Sequence, residues 1–184
     1  MNSHRPLDPR RLDVARLAAA GAEVAGEWPR AGFARLVSAT LPAESAAEST
    51  VTFRAIGARA PLEGAGLQPA LHLEVDARAR LECQRCLQPM TVPIQVDRRF
   101  FFVPGEDDAA SLDADSEEDV VALVPSFDLH ALVEDELLLA LPIVPRHDTC
   151  PVAVPLVFDD DGAAAEPADH PFAALAALRG GKAS

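Results

Sequence analysis

From Leu71 to Glu82 apolar and polar residues alternate without a break. Leu71, Leu73, Val75, Ala77, Ala79 and Leu81 fall on one face, and His72, Glu74, Asp76, Arg78, Arg80 and Glu82 on the other. A period of two held this long is incompatible with a helix, whose apolar positions recur every three to four residues. A fully polar second face also argues against a strand buried on both sides in a parallel sheet. The segment therefore predicts a half-buried strand of an antiparallel sheet. Val51, Phe53 and Ala55 predict a second strand, and Val92, Ile94, Val96, Phe100 and Phe102 a third over 91–102.

The alternation ends in Cys83-Gln84-Arg85-Cys86, and the third cysteine of the chain follows in His147-Asp148-Thr149-Cys150. Each is a pair of soft-metal ligands two residues apart. On a straight strand the i and i+3 side chains point to opposite faces, so a metal knuckle needs the bend expected here. Zinc takes four such ligands in a tetrahedron. Cys83, Cys86, His147 and Cys150 are thus the candidate ligands of one Zn2+. A redox dithiol is the rival reading. It calls for a helix N-terminus to lower a cysteine pKa, and this pair ends a strand. Three cysteines do not form a secreted disulfide framework.

A second periodicity, of helical spacing, runs through Leu129, Leu132, Val133, Leu137, Ala140 and Leu141. It predicts a helix over 128–140 with Asp128 or Ser126 as its cap and Pro142 as its stop. Glu134, Asp135 and Glu136 read as its solvated face. Such a helix would deliver His147 and Cys150 just beyond its end. Shorter terminal helices are expected at 10–20, capped by Asp8 with Pro9 in the first turn, and at 170–178, opened by His170-Pro171-Phe172. Phe33 and Leu36 lie in a stretch that pattern alone does not place. The fold class expected is α+β: a mostly antiparallel sheet with the helix at 128–140 packed on it.

Charge divides the chain. Residues 1–100 carry a net charge of +2, residues 101–184 a net charge of −15, and the whole chain −13. The acidic half repels a phosphate backbone and attracts a basic partner. Its densest stretch, 104–119, reads as a flexible loop. It is either a solvated insertion or a contact for a basic partner through Glu106, Asp107 and Asp108. Arg78, Arg80, Arg85, Arg98 and Arg99 surround the long hairpin and are the candidate RNA contacts. The alternative is that they pair with Glu74, Asp76, Glu82 and Asp97 across the polar face. No phosphate loop, dinucleotide fingerprint, HExxH or nucleophile elbow occurs, so the chain is not expected to be an enzyme. No apolar run reaches the ~20 residues of a membrane span, and the N-terminus does not read as a secretory signal. The expected compartment is the cytoplasm.

Leu81-Glu82-Cys83-Gln84-Arg85-Cys86-Leu87-Gln88-Pro89 resembles the hallmark of the bacterial YceD family, the large ribosomal RNA subunit accumulation proteins. Phe127-Asp128-Leu129, Leu132 to Pro142 and Val144 to Asp148 resemble its second block, and His170 to Leu178 its proteobacterial end. The likeness runs over 71–178 within a domain expected to span 1–184. It implies a role in synthesis, processing or stability of 23S ribosomal RNA, with no catalytic activity. Together with the charge of the acidic half, this makes a ribosomal protein or another basic assembly factor the expected partner, with the ribosomal RNA itself as the alternative, and neither DNA nor membrane. A direct rRNA binder and an RNA-processing enzyme are the competing classes. Many relatives carry a second CxxC after the helix. This chain has His147 and Cys150 there instead.

Overall fold

The computed structural model describes residues 8–152. The elements follow in the order α1 (Val14–Ala20), β1 (Glu23–Pro29), α2 (Ala34–Ala39), β2 (Thr50–Leu62), β3 (Gly66–Glu82), β4 (Pro89–Val103), α3 (Glu106–Asp115), β5 (Asp119–Ala122) and α4 (Leu129–Leu139). The strands form one sheet in sequence order. β1 to β4 are antiparallel neighbours, and β5 runs parallel to β4 with Phe101 opposite Val120. The class is α+β, as expected from the switch between the two periodicities. Residues 153–184, where a helix at 170–178 is expected, lie outside the described residues.

The odd-numbered positions of β3 make the inner face. Leu71, Leu73 and Val75 are buried there with Val51, Phe53 and Ala55 of β2 and Ile94, Val96, Phe100 and Phe102 of β4. Leu129, Val133 and Leu137 of α4 and Val14 and Leu17 of α1 close this core from above. Each fully buried side chain of this size contributes about 1.5–3 kcal/mol. α1 reaches β2 only because residue 57 is glycine: a Cβ at that position would lie 2.6 Å from the Leu17 backbone carbon and 2.7 Å from the Ala18 nitrogen. Phe33 and Leu36 belong to this same core. Phe33 stacks on His130 of α4 with ring centroids 4.1 Å apart, and Trp28 stacks on Phe53 at 3.8 Å.

Two expectations near the N-terminus need correction. The first helix begins at Val14 and is capped by Asp13, whose side chain accepts the Arg16 N–H at 2.9 Å. Asp8 instead accepts the Arg10 N–H in a local turn. Leu12 is withheld from the helix because its backbone bridges to Phe127, with hydrogen bonds in both directions.

The stretch 104–119 is not a loop through its length, since α3 occupies most of it. A parallel return from β4 to β5 requires a crossover of a dozen or more residues, and a helix is its usual form. Ala109 and Leu112, three positions apart, dock α3 against Leu62, Ala70, Phe101 and Val103. These lie on the face opposite α4, because Phe101 pairs with Ala70, an even-numbered position of β3. The run Phe100-Phe101-Phe102-Val103 is apolar throughout because both sides of the sheet are covered there.

The reading of Glu134 and Glu136 as solvated is also overturned. Both are buried in α4, whereas Asp135 is exposed. Glu134 Oε1 accepts the backbone N–H groups of Arg35 and Leu36 at 2.7 and 3.3 Å. It thereby caps α2, which has no side-chain cap of its own. Glu136 meets Arg98 at 3.3 Å, and Arg98 also pairs with Asp119 of β5. Burial outweighs Arg98 and holds the Glu136 carboxyl above its ordinary pKa.

Candidate metal centre

The β3–β4 hairpin turns through Cys83 to Gln88, with Glu82 opposite Pro89 as its last pair. The turn is closed by Leu87 N–H to Cys83 O at 2.9 Å and Cys83 N–H to Gln88 O at 3.0 Å. Leu87 sits at φ 59°, a left-handed conformation that leucine adopts at a cost. This bend turns Cys83 and Cys86 toward the same point. From the other side, the chain leaves α4, and Gln84 N–H donates to Pro145 O at 2.8 Å. That contact seats the stretch His147 to Cys150 beside the knuckle.

The four ligand atoms of Cys83, Cys86, His147 and Cys150 all lie within 4.8 Å of one another. Cys83 Sγ and Cys150 Sγ are 4.0 Å apart, and Cys86 Sγ and His147 Nδ1 are 3.4 Å apart. A tetrahedral zinc ion with ordinary Zn–S and Zn–N bonds separates its ligands by about 3.4–3.8 Å. The donor set therefore fits a soft divalent cation with only small adjustment. Cys83 is buried, while Cys86, His147 and Cys150 are half-buried.

The electrostatics favour a thiolate at the buried ligand. Burial pushes the Cys83 thiol up, but the N–H groups of His147, Arg85 and Cys86 outweigh it and bring the pKa to about 5. The His147 N–H lies 3.4 Å from its sulfur. Burial and the neighbouring sulfurs of Cys150 and Cys83 push the Cys86 thiol the other way.

A family model, Large ribosomal RNA subunit accumulation protein YceD, matches residues 71–179. The matched span holds both halves of the centre and more than half of the chain. The chain belongs to the YceD family. No solved structure gives a significant match. The family's name ties this YceD chain to accumulation of large-subunit ribosomal RNA, in line with the resemblance read from its sequence.

In this YceD chain the five arginines of the hairpin part company. Arg80 pairs with Glu44 at 2.6 Å. Arg98 lies on the inner face opposite Leu73 and is held by Asp119 and Glu136. Arg85 points into the metal centre, its Nε 3.0 Å from Cys150 Sγ. Arg78 and Arg99 are exposed on the outer face and form no ion pair among the described residues. None of the five makes an ion pair with Glu74, Asp76, Glu82 or Asp97. Glu74 is taken by Arg54, and Asp97 by His72. Glu106, Asp107 and Asp108 form the exposed first turn of α3. Arg85, a candidate RNA contact from the sequence, thus hydrogen-bonds to residues of the candidate metal centre, and its position between two cysteines is the sequence signal for that proximity. No helix among the described residues is long and apolar enough to cross a membrane.

Proposed function

We propose that this chain is a non-enzymatic ribosome-biogenesis factor that promotes accumulation of 23S ribosomal RNA by engaging a basic ribosomal or assembly protein. Family membership carries the process. The partner class rests on α3, whose Glu106, Asp107, Asp108, Asp113 and Asp115 are all exposed on the outer side of the sheet. Opposite charge accelerates encounter and orients the partner, and added salt weakens both effects. The three-cysteine, one-histidine set is closed, leaving no position for a substrate. That is the pattern of a structural zinc site rather than a catalytic one. Its role is to clamp the exit of α4 onto the sheet hairpin.

The test is a pair of titrations at matched ionic strength, one with large-subunit ribosomal RNA and one with basic large-subunit ribosomal proteins. Salt-sensitive binding to a protein, weakened by charge reversal at Glu106, Asp107 and Asp108, is the expected result. Tight RNA binding without protein binding would overturn it. One observation favours direct rRNA contact as the second reading: Arg78 and Arg99 are exposed on the outer face and form no ion pair among the described residues. In that case R78A and R99A would each reduce RNA affinity and its salt dependence.

A further inference from the structure

The link from Leu141 to Cys150 has no regular secondary structure. Its position depends on side-chain and backbone contacts with the knuckle. Pro145 is held by the Gln84 N–H, and His147 approaches the sulfurs of Cys83 and Cys86. Three further contacts come from one side chain. Arg85 donates through Nε to Cys150 Sγ at 3.0 Å, and through Nη2 to His147 O at 3.0 Å and Asp148 O at 3.4 Å. One planar group thus spans both ends of the second half-site.

Charge points the same way. Three thiolates and a neutral imidazole outweigh a divalent cation by one negative charge. The Arg85 guanidinium places a positive charge in direct contact with that excess, 3.0 Å from the Cys150 sulfur. Groups that hydrogen-bond to metal ligands fix ligand orientation and tune affinity.

We propose that Arg85 is the positioning residue of the metal centre: its guanidinium fixes Cys150 and the His147 backbone in ligating geometry, balances the excess thiolate charge, and so sets the affinity for Zn2+. This rests on the reading of the four residues as a zinc site. Lysine cannot replace it, because a point charge on a flexible stem does not span a sulfur and two carbonyl oxygens. The role commits the Nε and Nη2 donors of Arg85 to the second half-site.

The experiment uses the full chain stripped of metal. Wild type, R85A, R85K and R78A are titrated with Co2+, and Zn2+ affinity is measured in competition with a chromophoric chelator. Arg85→Ala is expected to weaken Zn2+ by about 10- to 100-fold, Arg85→Lys to fall close behind, and Arg78→Ala to match wild type. The thiolate-to-cobalt absorption, which reports the number of bound sulfurs, should drop in Arg85→Ala from the three-sulfur to the two-sulfur level. A merely structural loss would not change it in this way. Far-UV circular dichroism checks the fold, and Arg85→Lys carries the test if Arg85→Ala fails to fold. Wild-type binding with equal affinity in the Arg85 variants overturns the inference alone. A wild type that takes up neither cation overturns the zinc reading and this inference with it.

Discussion

Glu134 reaches from α4 to the first turn of α2 and accepts the backbone N–H of Arg35 at 2.7 Å. The same oxygen takes the Leu36 N–H, and the other oxygen meets the Arg35 guanidinium at 3.1 Å. A helix too short to be stable alone is therefore capped by a carboxylate 99 residues away in the chain. These contacts hold the Glu134 pKa below the ordinary carboxylate value despite burial.

Replacing Glu134 by Ala leaves two backbone donors without a partner and should cost about 1–3 kcal/mol. Replacing Arg35 by Ala removes its ion pairs with Glu134 and Asp135, in which the arginine side chain is 54% exposed, and should cost less than about 1 kcal/mol. Urea unfolding of both variants checks the order. An Arg35→Ala loss equal to that of Glu134→Ala would show that the ion pair matters more than the cap.

Gly57→Ala places a methyl group against the α1 backbone, where no side-chain rotation can relieve it. The expected cost is about 1–3 kcal/mol, read as a lower urea midpoint at unchanged slope. A neutral outcome would mean that α1 shifts freely on β2.

Protein purified without chelator should carry one zinc ion per chain by elemental analysis. Binding at a hundredfold excess over Kd stabilises by about 2.7 kcal/mol, and for a chain of this size stripping the metal should lower Tm by roughly 5–10 °C. Cys83→Ser and Cys150→Ser should each abolish both the stoichiometry and the shift. Zinc retained by both variants would place the ion elsewhere.

His130 is buried against Phe33 and Trp28. Burial lowers its pKa and Arg10 reinforces this, while Asp128 and Glu134 oppose it. A folded pKa below the unfolded value means that the unfolded chain binds the extra proton. Its contribution to stability is thus complete above about pH 6.5 and is lost as pH falls below that value toward the folded pKa. His130→Phe keeps the ring contacts and should flatten the difference in stability between pH 7.5 and 5.5. An unchanged difference would assign it to other groups.

Where local pattern and tertiary role agreed, the sequence could be read directly. The alternation through Leu81 located β3 and its inner face, Asp128 was a true cap, and the bend at Cys83 to Cys86 was foreseen from ligand spacing. The misses share a non-local cause. α3 shows two apolar anchors, Ala109 and Leu112, among many acids, and only the parallel pairing of β5 demands a helix there. Glu134 and Glu136 look like surface residues until Arg35 and Arg98 arrive from distant segments. Asp8-Pro9 imitates a helix start, but Leu12 is claimed by Phe127.

The segment before residue 71 supplies surfaces that the family-matched span is folded against. β3 would lose its β2 neighbour, α4 its contact with Phe33, and the Phe127 backbone its partner Leu12. The reach of shared sequence and the reach of cooperative folding therefore do not coincide in this chain. The family match does not extend over the N-terminal part, yet excising that part would leave the hallmark hairpin with an open edge at β3.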